Sequence, residues 1–566
     1  QIGGGITRLN GNNIYTGDTT VTNGTLLVNG DQSAARGATT VSGTSTLGGN
    51  GTIGGNVLMN DATTLSAGDG GAGTLSINGN LQLGSKTTSA FELGQAYTPG
   101  GALNDLINVA GDLQLDGTLD VTTSQGGNFG PGVYRIYNYG GTLDNQTLEL
   151  GAIPNSQDKS NIFVQTSIDK QVNLVNASGV TLQFWDGATV SQSHGASGIE
   201  GDSKIDGGDG KWMAIGSQGD NNWTTATGEG NAPWAQKSFA VFTTKGGTVT
   251  VDNAAGEVNF SGAQFDADGY VVKGDALNAY ATTENATHAG QTPGTGELLV
   301  RVGAGGAGQN YTATIESVIR EASTADKLTL VKTDLGRLIL SGDNEYRGGT
   351  RIDGGTLQIS SDSNLGQSGT DLAINNGSTL QLGADLTSNR TIELGANENA
   401  AVFDLNSHHF TPTGEITGDG KLKVTSSSSD AGSTLSLDRA NSYKGDTEIA
   451  GTGNANNVTV NVSKTGAFGS NESSTVNVNK GATLNVSGTD TSLKSLTMNI
   501  ADSLLTLADN VTAASAMLNL TGTAKAVLTN NTTAGNATVN VSKDSTLALE
   551  ENASGGNATV NNSGLM

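Results

Sequence analysis

The stretch Leu340-Ser341-Gly342-Asp343-Asn344-Glu345-Tyr346-Arg347-Gly348-Gly349-Thr350-Arg351-Ile352-Asp353-Gly354-Gly355-Thr356-Leu357 decides the fold, because its pattern occurs twice more in the chain. Residues 9–26 read LNGNNIYTGDTTVTNGTL at a constant offset of 331. That offset sets Tyr15 against Tyr346, Gly17 against Gly348, Thr19 against Thr350, and Gly24-Thr25-Leu26 against Gly355-Thr356-Leu357. Residues 437–449, LDRANSYKGDTEI, place Tyr443, Gly445, Asp446 and Thr447 in the matching positions and diverge after Ile449. A register kept across hundreds of residues marks an internal repeat rather than convergent low complexity. Asn before Tyr and Gly after it suit a turn needing φ > 0, followed by a strand.

Working outward, the same rhythm fills the chain. Thr25-Leu26-Leu27-Val28, Thr74-Leu75-Ser76-Ile77 and Leu113-Gln114-Leu115 place apolar residues at i and i+2, the strand period, and end in Gly, Asn or Asp. Runs of three to five residues cannot bury a face alone, so they must stack on copies of themselves, which is the logic of a solenoid. Composition agrees: the 566 residues hold 84 Gly, 72 Thr and 55 Asn, with only 34% hydrophobic and 14% charged residues. A close-packed α/β enzyme is a poor fit. So is a disordered chain, since charge is scarce and Pro occurs six times.

The net charge is −25, which argues against nucleic-acid binding and against direct binding to anionic lipid. There is no cysteine, hence no disulfide or thiol chemistry. In an exported chain this avoids crosslinking before passage through a narrow pore. No apolar run approaches the ~20 residues that span a bilayer as a helix. The chain begins at Gln1 rather than Met and reads as a processed or excised fragment.

The 340–357 pattern resembles the passenger-associated transport repeat of bacterial autotransporters, the type V secretion family. Leu47-Gly48-Gly49-Asn50-Gly51-Thr52-Ile53-Gly54-Gly55 and the segment Asn128–Tyr137 (NFGPGVYRIY) are similar to further passenger motifs. Leu182-Gln183-Phe184-Trp185-Asp186-Gly187, with Asn222-Trp223-Thr224, looks like the Trp-bearing opening of a passenger module. The resemblance implies an all-β chain folded as a right-handed, pertactin-like parallel β-helix. It also implies export through the outer membrane to the bacterial cell surface, with a translocator β-barrel as partner in the full-length protein. Such a barrel needs ~10-residue alternating strands and aromatic girdles. Nothing here resembles one, and residues 469–566 contain no Phe, Tyr or Trp, so the chain reads as passenger only.

Motif order suggests three segments: 1–180 as the later half of one module, 181–452 as a second module opening with an irregular Trp-containing region, and 453–566 as regular Asn/Thr/Val-rich coils. Coils of about 20–25 residues are expected, with Leu, Val and Ile ladders inside, solvated Thr and Asn outside, and Asn ladders at inward turns. Thr312–Leu328 is ambiguous: Ile315, Val318, Ile319 and Ala322 fit helical spacing, but the resemblance favours strand and corner.

Candidate chemistry is sparse. Gly201-Asp202-Ser203-Lys204 invites comparison with serine-protease passengers, yet Lys204 stands where a Gly is wanted and His194 is the nearest base. Gly43-Thr44-Ser45-Thr46 is similar to a subtilisin-like nucleophile segment but sits inside strand-turn rhythm. Asp202, Asp206 and Asp209 could hold calcium, though the closing Glu of a calcium loop is missing. Lys204 and Lys211 beside those carboxylates would suit a polysaccharide lyase. His194, His288, His408 and His409 make no spaced ligand set. Trp185, Trp212, Trp223 and Trp234 either stack on glycans or pack a widened first coil, with packing favoured. No catalytic or metal residue and no cofactor is assigned, and the binding residues are unknown.

The reading is a surface adhesin without turnover, binding host extracellular-matrix protein or glycan, or self-associating between cells. The alternatives are a β-helical hydrolase or lyase, and a structural stalk that displays a domain outside this fragment. As a single parallel β-helix, the chain is expected to give a far-UV circular dichroism spectrum of a β protein. A dominant helical signal would refute that fold.

Overall fold

The computed structural model describes residues 1–566 apart from 155–158, 160–161, 167, 169, 179–180, 188–202, 215–220, 285–294, 304–307, 324–326, 376, 397–398, 431, 454–456, 472–473 and 564–566. Thr356–Ile359 forms the strand its alternation predicts, with Leu357 and Ile359 buried and Thr356 and Gln358 half-exposed. It pairs in parallel with Arg337–Leu340 before it and Thr379–Leu382 after it. Repetition of that step builds a fifteen-stranded sheet from Gly210–Met213 to Thr559–Asn562, parallel at every pairing. At ~4.8 Å per step, its fourteen steps cover roughly 67 Å.

Two further sheets complete the coils, one of fourteen strands and one of eight that runs from Leu386–Ser388 to Thr546–Leu549. The chain is an all-β parallel solenoid, and the described residues contain no α-helix. The ambiguous segment is strand: Thr312–Ile315, Ile319–Glu321 and Lys327–Thr333. Coil length is less uniform than expected. Leu340 pairs with Ile359, nineteen residues on, whereas Val272 pairs with Ile315, forty-three on. Corners take up the difference, because strand register constrains only the strands.

Inward side chains stack in register. One ladder runs from Leu338 through Leu357, Leu380 and Phe403 to Ile449 and Val541, and all six residues are buried. A buried Leu, Ile or Val is worth about 1.5–3 kcal/mol. Ordering the backbone costs about 1–2 kcal/mol per residue. A coil of some twenty residues therefore cannot stand without neighbours.

The repeated motif is a set of staples between coils. Asn344 Oδ1 accepts from the Ile319 backbone N–H at 2.8 Å, and its amide donates to the Asn364 carbonyl at 2.7 Å. Asn441 repeats this with Ile416 and Ala467, at 2.9 and 2.7 Å. Each Asn thus joins the coil before it to the coil after it. The Tyr hydroxyl bonds the Thr four residues on in all three copies: Tyr15–Thr19 at 2.9 Å, Tyr346–Thr350 at 2.8 Å and Tyr443–Thr447 at 2.6 Å. Tyr346 and Tyr443 are fully buried, whereas Tyr15 is exposed.

The turn expected from Asn and the following Gly is therefore corrected in its cause. Neither Asn344 nor Gly348 has positive φ. Gly348 and Gly445 are small because a Cβ would run into the backbone of the preceding coil, at Leu328 and Gly420. Positive φ falls on the residue after Gly348, Gly349 (86°), and again later in the motif, at Gly24 (77°) and Gly355 (60°). Beside Gly355, the buried Lys332 ammonium donates to the carbonyls of Asp334, Gly336 and Gly354. Burial pulls its pKa down, while the nearby Asp334 opposes that shift. Arg390, also buried, pairs with Asp362 at 3.0 Å and donates to the Gln367 and Gly366 carbonyls.

The stack is not single. Residues 6–176 form their own eleven- and seven-stranded sheets, and among the described residues no strand pairing crosses to the sheets that begin at Leu182. The first stack is closed by Gln171–Asn176, antiparallel to both Gly132–Tyr139 and Ile162–Gln165. The second is opened by Trp223–Thr224, antiparallel to Leu182–Trp185 and Asn231–Ala232. Antiparallel strands end the parallel ladder at each of these places.

Asn441→Ala is expected to leave the Ile416 N–H and the Ala467 carbonyl unpaired in the core, at about 1–3 kcal/mol each. Because coils couple to nearest neighbours, amide exchange should accelerate around 416–424 and 443–468 while the 338–359 coils stay protected. Uniform acceleration along the chain would refute the staple.

Candidate functional site

The four tryptophans lie on the first rungs of the second stack and are at most 3% exposed. Trp185 meets Trp223 edge-on at 5.1 Å, Trp223 lies 4.4 Å from Trp234, and Trp212 lies 4.9 Å from both Trp223 and Trp234. The Trp185 indole donates to the Gly208 carbonyl and the Trp234 indole to that of Asn259. With their faces covered, these rings plug the start of the solenoid and offer no platform to a sugar.

Several of the other sequence candidates also make structural contacts. Asp209 Oδ1 accepts from the Thr248 backbone N–H at 2.6 Å, tying its turn to the next coil. The Asp206 N–H donates to Asp186 Oδ1 at 2.9 Å. Lys211 pairs with Asp252 at 3.3 Å. The Ala254 N–H and Lys211 hold that carboxyl below the usual range. Ser203 and Lys204 are exposed, whereas His194, Asp202 and His288 lie outside the described residues. Ser45 is buried and its hydroxyl donates to the Ser42 carbonyl at 2.7 Å. His408 faces Asp385 at 3.6 Å, and His409 is exposed.

The two stacks meet through a mixed patch. Val133, Phe163, Ile168 and Val175 of the first pack with Phe239, Val241 and Leu299 of the second. Tyr97 stacks on Phe239 at 5.4 Å and lies under the Arg301 guanidinium at 4.9 Å. Arg135, buried, bonds Asn173 and Asn138 and pairs with Asp266 at 3.0 Å. Burial raises the Asp266 carboxyl to about 6 against the pull of Arg135.

Among the described residues, the outer surface of the strands presents ordered polar columns. In Val476-Asn477-Val478, Met498-Asn499-Ile500, Leu518-Asn519-Leu520 and Val539-Asn540-Val541 the apolar residues point inward and the Asn outward. The amides bond rung to rung: Asn499 to Asn477 and Asn519 to Asn499 at 2.8 Å, Asn540 to Asn519 and Asn561 to Asn540 at 2.7 Å. A second outward column in register holds Thr475, Thr497, Met517, Thr538 and Thr559. The sequence reading placed Asn ladders at inward turns. The signal it passed over was Asn flanked by apolar residues on both sides, recurring every 20–22 residues.

Charge leaves this face. Lower in the same sheet, Gln381 bonds Asp404 at 2.7 Å and Lys423 pairs with Glu448 at 3.2 Å. Above Glu448 the two columns hold no charged residue. Residues 453–566 contain five Lys against seven Asp and Glu, a net of −2, which leaves −23 on residues 1–452.

Residues 1–28 and 330–359 match the passenger-associated-transport-repeat family, the two segments that the 331-residue offset aligns. The chain is also 39% identical over 456 residues to a protein of Brucella suis biovar 1 (strain 1330) described as adhesin BmaC autotransporter. The alignment covers 80% of this chain and 12% of the relative, so the chain spans about an eighth of that protein's length. No solved structure matches. Together with the parallel solenoid, these matches identify the chain as autotransporter passenger sequence. As such it is exported across the outer membrane and exposed at the bacterial cell surface.

Burial of all four tryptophans predicts a blue-shifted native emission that iodide quenches weakly. Emission already red-shifted and freely quenched before unfolding would contradict the plug.

Proposed function

We propose that this chain is a binding shaft of a surface adhesin. It holds host matrix protein, glycan or other copies of itself through many weak polar contacts, without catalytic turnover. Its support is the adhesin named among its relatives, together with the uncharged outward columns, Asn in one and Thr broken by Met517 in the other. A neutral hydrogen bond of this kind nets only about 0.5–1.5 kcal/mol. Strength must come from repetition along the shaft and from many copies per cell.

A second reading is a spacer that carries binding segments of a longer protein away from the membrane. It is favoured by the chain's small share of the relative's length.

One comparison separates the two. Bacteria carrying the full-length protein, with residues 1–566 deleted or replaced by an unrelated β-solenoid of equal length, are tested for attachment to matrix proteins, to glycans and to one another. The shaft reading expects attachment to fall several-fold with either change. Full recovery with the unrelated solenoid would establish the spacer.

A further inference from the structure

We propose that the corner cleft between Lys464 and Lys494 is a binding slot for an aliphatic carboxylate, which lays its hydrocarbon tail between two successive coils and its head group at the two ammonium ions. The site is separate from the polar strand faces and does not depend on what those faces hold.

The cleft follows from a mismatch in corner length. The corner 463–474 has twelve residues, the corner 487–496 has ten and the corner 508–516 has nine. From Ser492 onward the corners stack through parallel bridges, Ser492 to Thr512, Thr512 to Thr533 and Thr533 to Ser554. Among the described residues, no such bridge joins the 463–474 corner to that column. Side chains hold it instead: the Ser492 N–H donates to Thr465 Oγ1 at 2.8 Å, and the Thr491 hydroxyl donates to the Ser463 carbonyl at 3.1 Å. A wide corner set against a narrower one leaves a cleft of about 470 Å³, its open mouth included. That is the size range of small-molecule sites.

The walls are apolar. Ala467 and Phe468 of one coil face Val486 and Leu493 of the next, all four at most 3% exposed, and Leu496 is half-buried beside them. Apolar atoms that line a gap lack packing partners on that side, and a hydrocarbon tail supplies them. A peptide is a poorer occupant, because every residue brings an N–H and a C=O that apolar walls cannot pair.

The mouth selects the head group. Lys464 and Lys494 both line the cleft and are exposed. Lys423 and Lys444 pair with Glu448 and Asp419, but among the described residues no acid pairs with Lys464 or Lys494, and no carboxylate lines the cleft. Two cations with no lining anion make a local site for negative charge in a chain whose net charge is −25.

The test titrates the 566-residue chain with sodium octanoate, sodium butyrate and octylamine by calorimetry at neutral pH. Octanoate should bind saturably, one per chain. Butyrate should bind more than roughly tenfold more weakly, since each methylene withdrawn from the slot costs about fourfold in affinity, and octylamine should bind more weakly than octanoate. Hydrogen exchange should slow at 464–470 and 491–496 when octanoate is bound. Lys464→Glu with Lys494→Glu should lose octanoate and gain octylamine. Lys525→Glu with Lys543→Glu, the same change of charge at exposed positions outside the cleft, should bind octanoate like the wild type, and circular dichroism should confirm the fold of both variants. Absence of saturable octanoate binding, butyrate or octylamine binding the wild type as tightly as octanoate, equal losses in the two double variants, or protection confined to other coils would each overturn the proposal.

Discussion

Every coil of this protein depends on a backbone ladder that it cannot complete alone. A strand of three to five residues has no partner within its own coil, and its N–H and C=O groups are paired only by the coils before and after it. Buried peptide groups left unpaired are costly, so the strands fall into register and the inward side chains stack with them. Leu lies over Leu and Phe over Val, and corner length is free because corners carry no ladder. The same dependence makes an open end hazardous, since an unpaired edge invites pairing with another chain. Where the first stack stops at Asn176 and the second starts at Leu182, antiparallel strands cover those edges.

The repeated motif takes its meaning from that architecture. Asn344 and Asn441 serve peptide groups of two different coils, a task that requires one donor and one acceptor on a short side chain. Tyr346 and Tyr443 fill the interior while each hydroxyl is satisfied by a Thr four residues on. The buried cations, Lys332 and Arg390, bond to turn carbonyls that apolar residues would leave unpaired. These groups stabilise the corners, where irregular backbone would otherwise expose unpaired polar atoms.

Function follows from the surface the solenoid leaves outside. The aromatic residues that could have formed a sugar platform are consumed in the plug at Trp185, Trp212, Trp223 and Trp234. Of the acidic residues that suggested a cation site, Asp209 ties its turn to the next coil through its carboxylate. The outward strand positions remain, with charge concentrated in the earlier coils and nearly balanced in the last.

The sequence by itself determined the solenoid, because period-two alternation in short runs and a 331-residue offset admit few other folds. It also determined the class of protein, through the Tyr, Gly and Thr positions of the motif. It did not determine that the chain forms two stacks. Gln171–Asn176 and Leu182–Trp185 read as ordinary strands, and only their neighbours in space decide whether they pair parallel or antiparallel. Nor did it determine the role of Asn344 and Asn441, whose partners lie about twenty-five residues away on both sides. The outward Asn ladder was written in the alternation but became a ladder only through coil register, which sets side chains twenty or so residues apart at hydrogen-bonding distance. Which apolar residues face inward is local information. Which polar groups meet is decided by stacking, because a coil has no fixed partner until the next one is laid upon it.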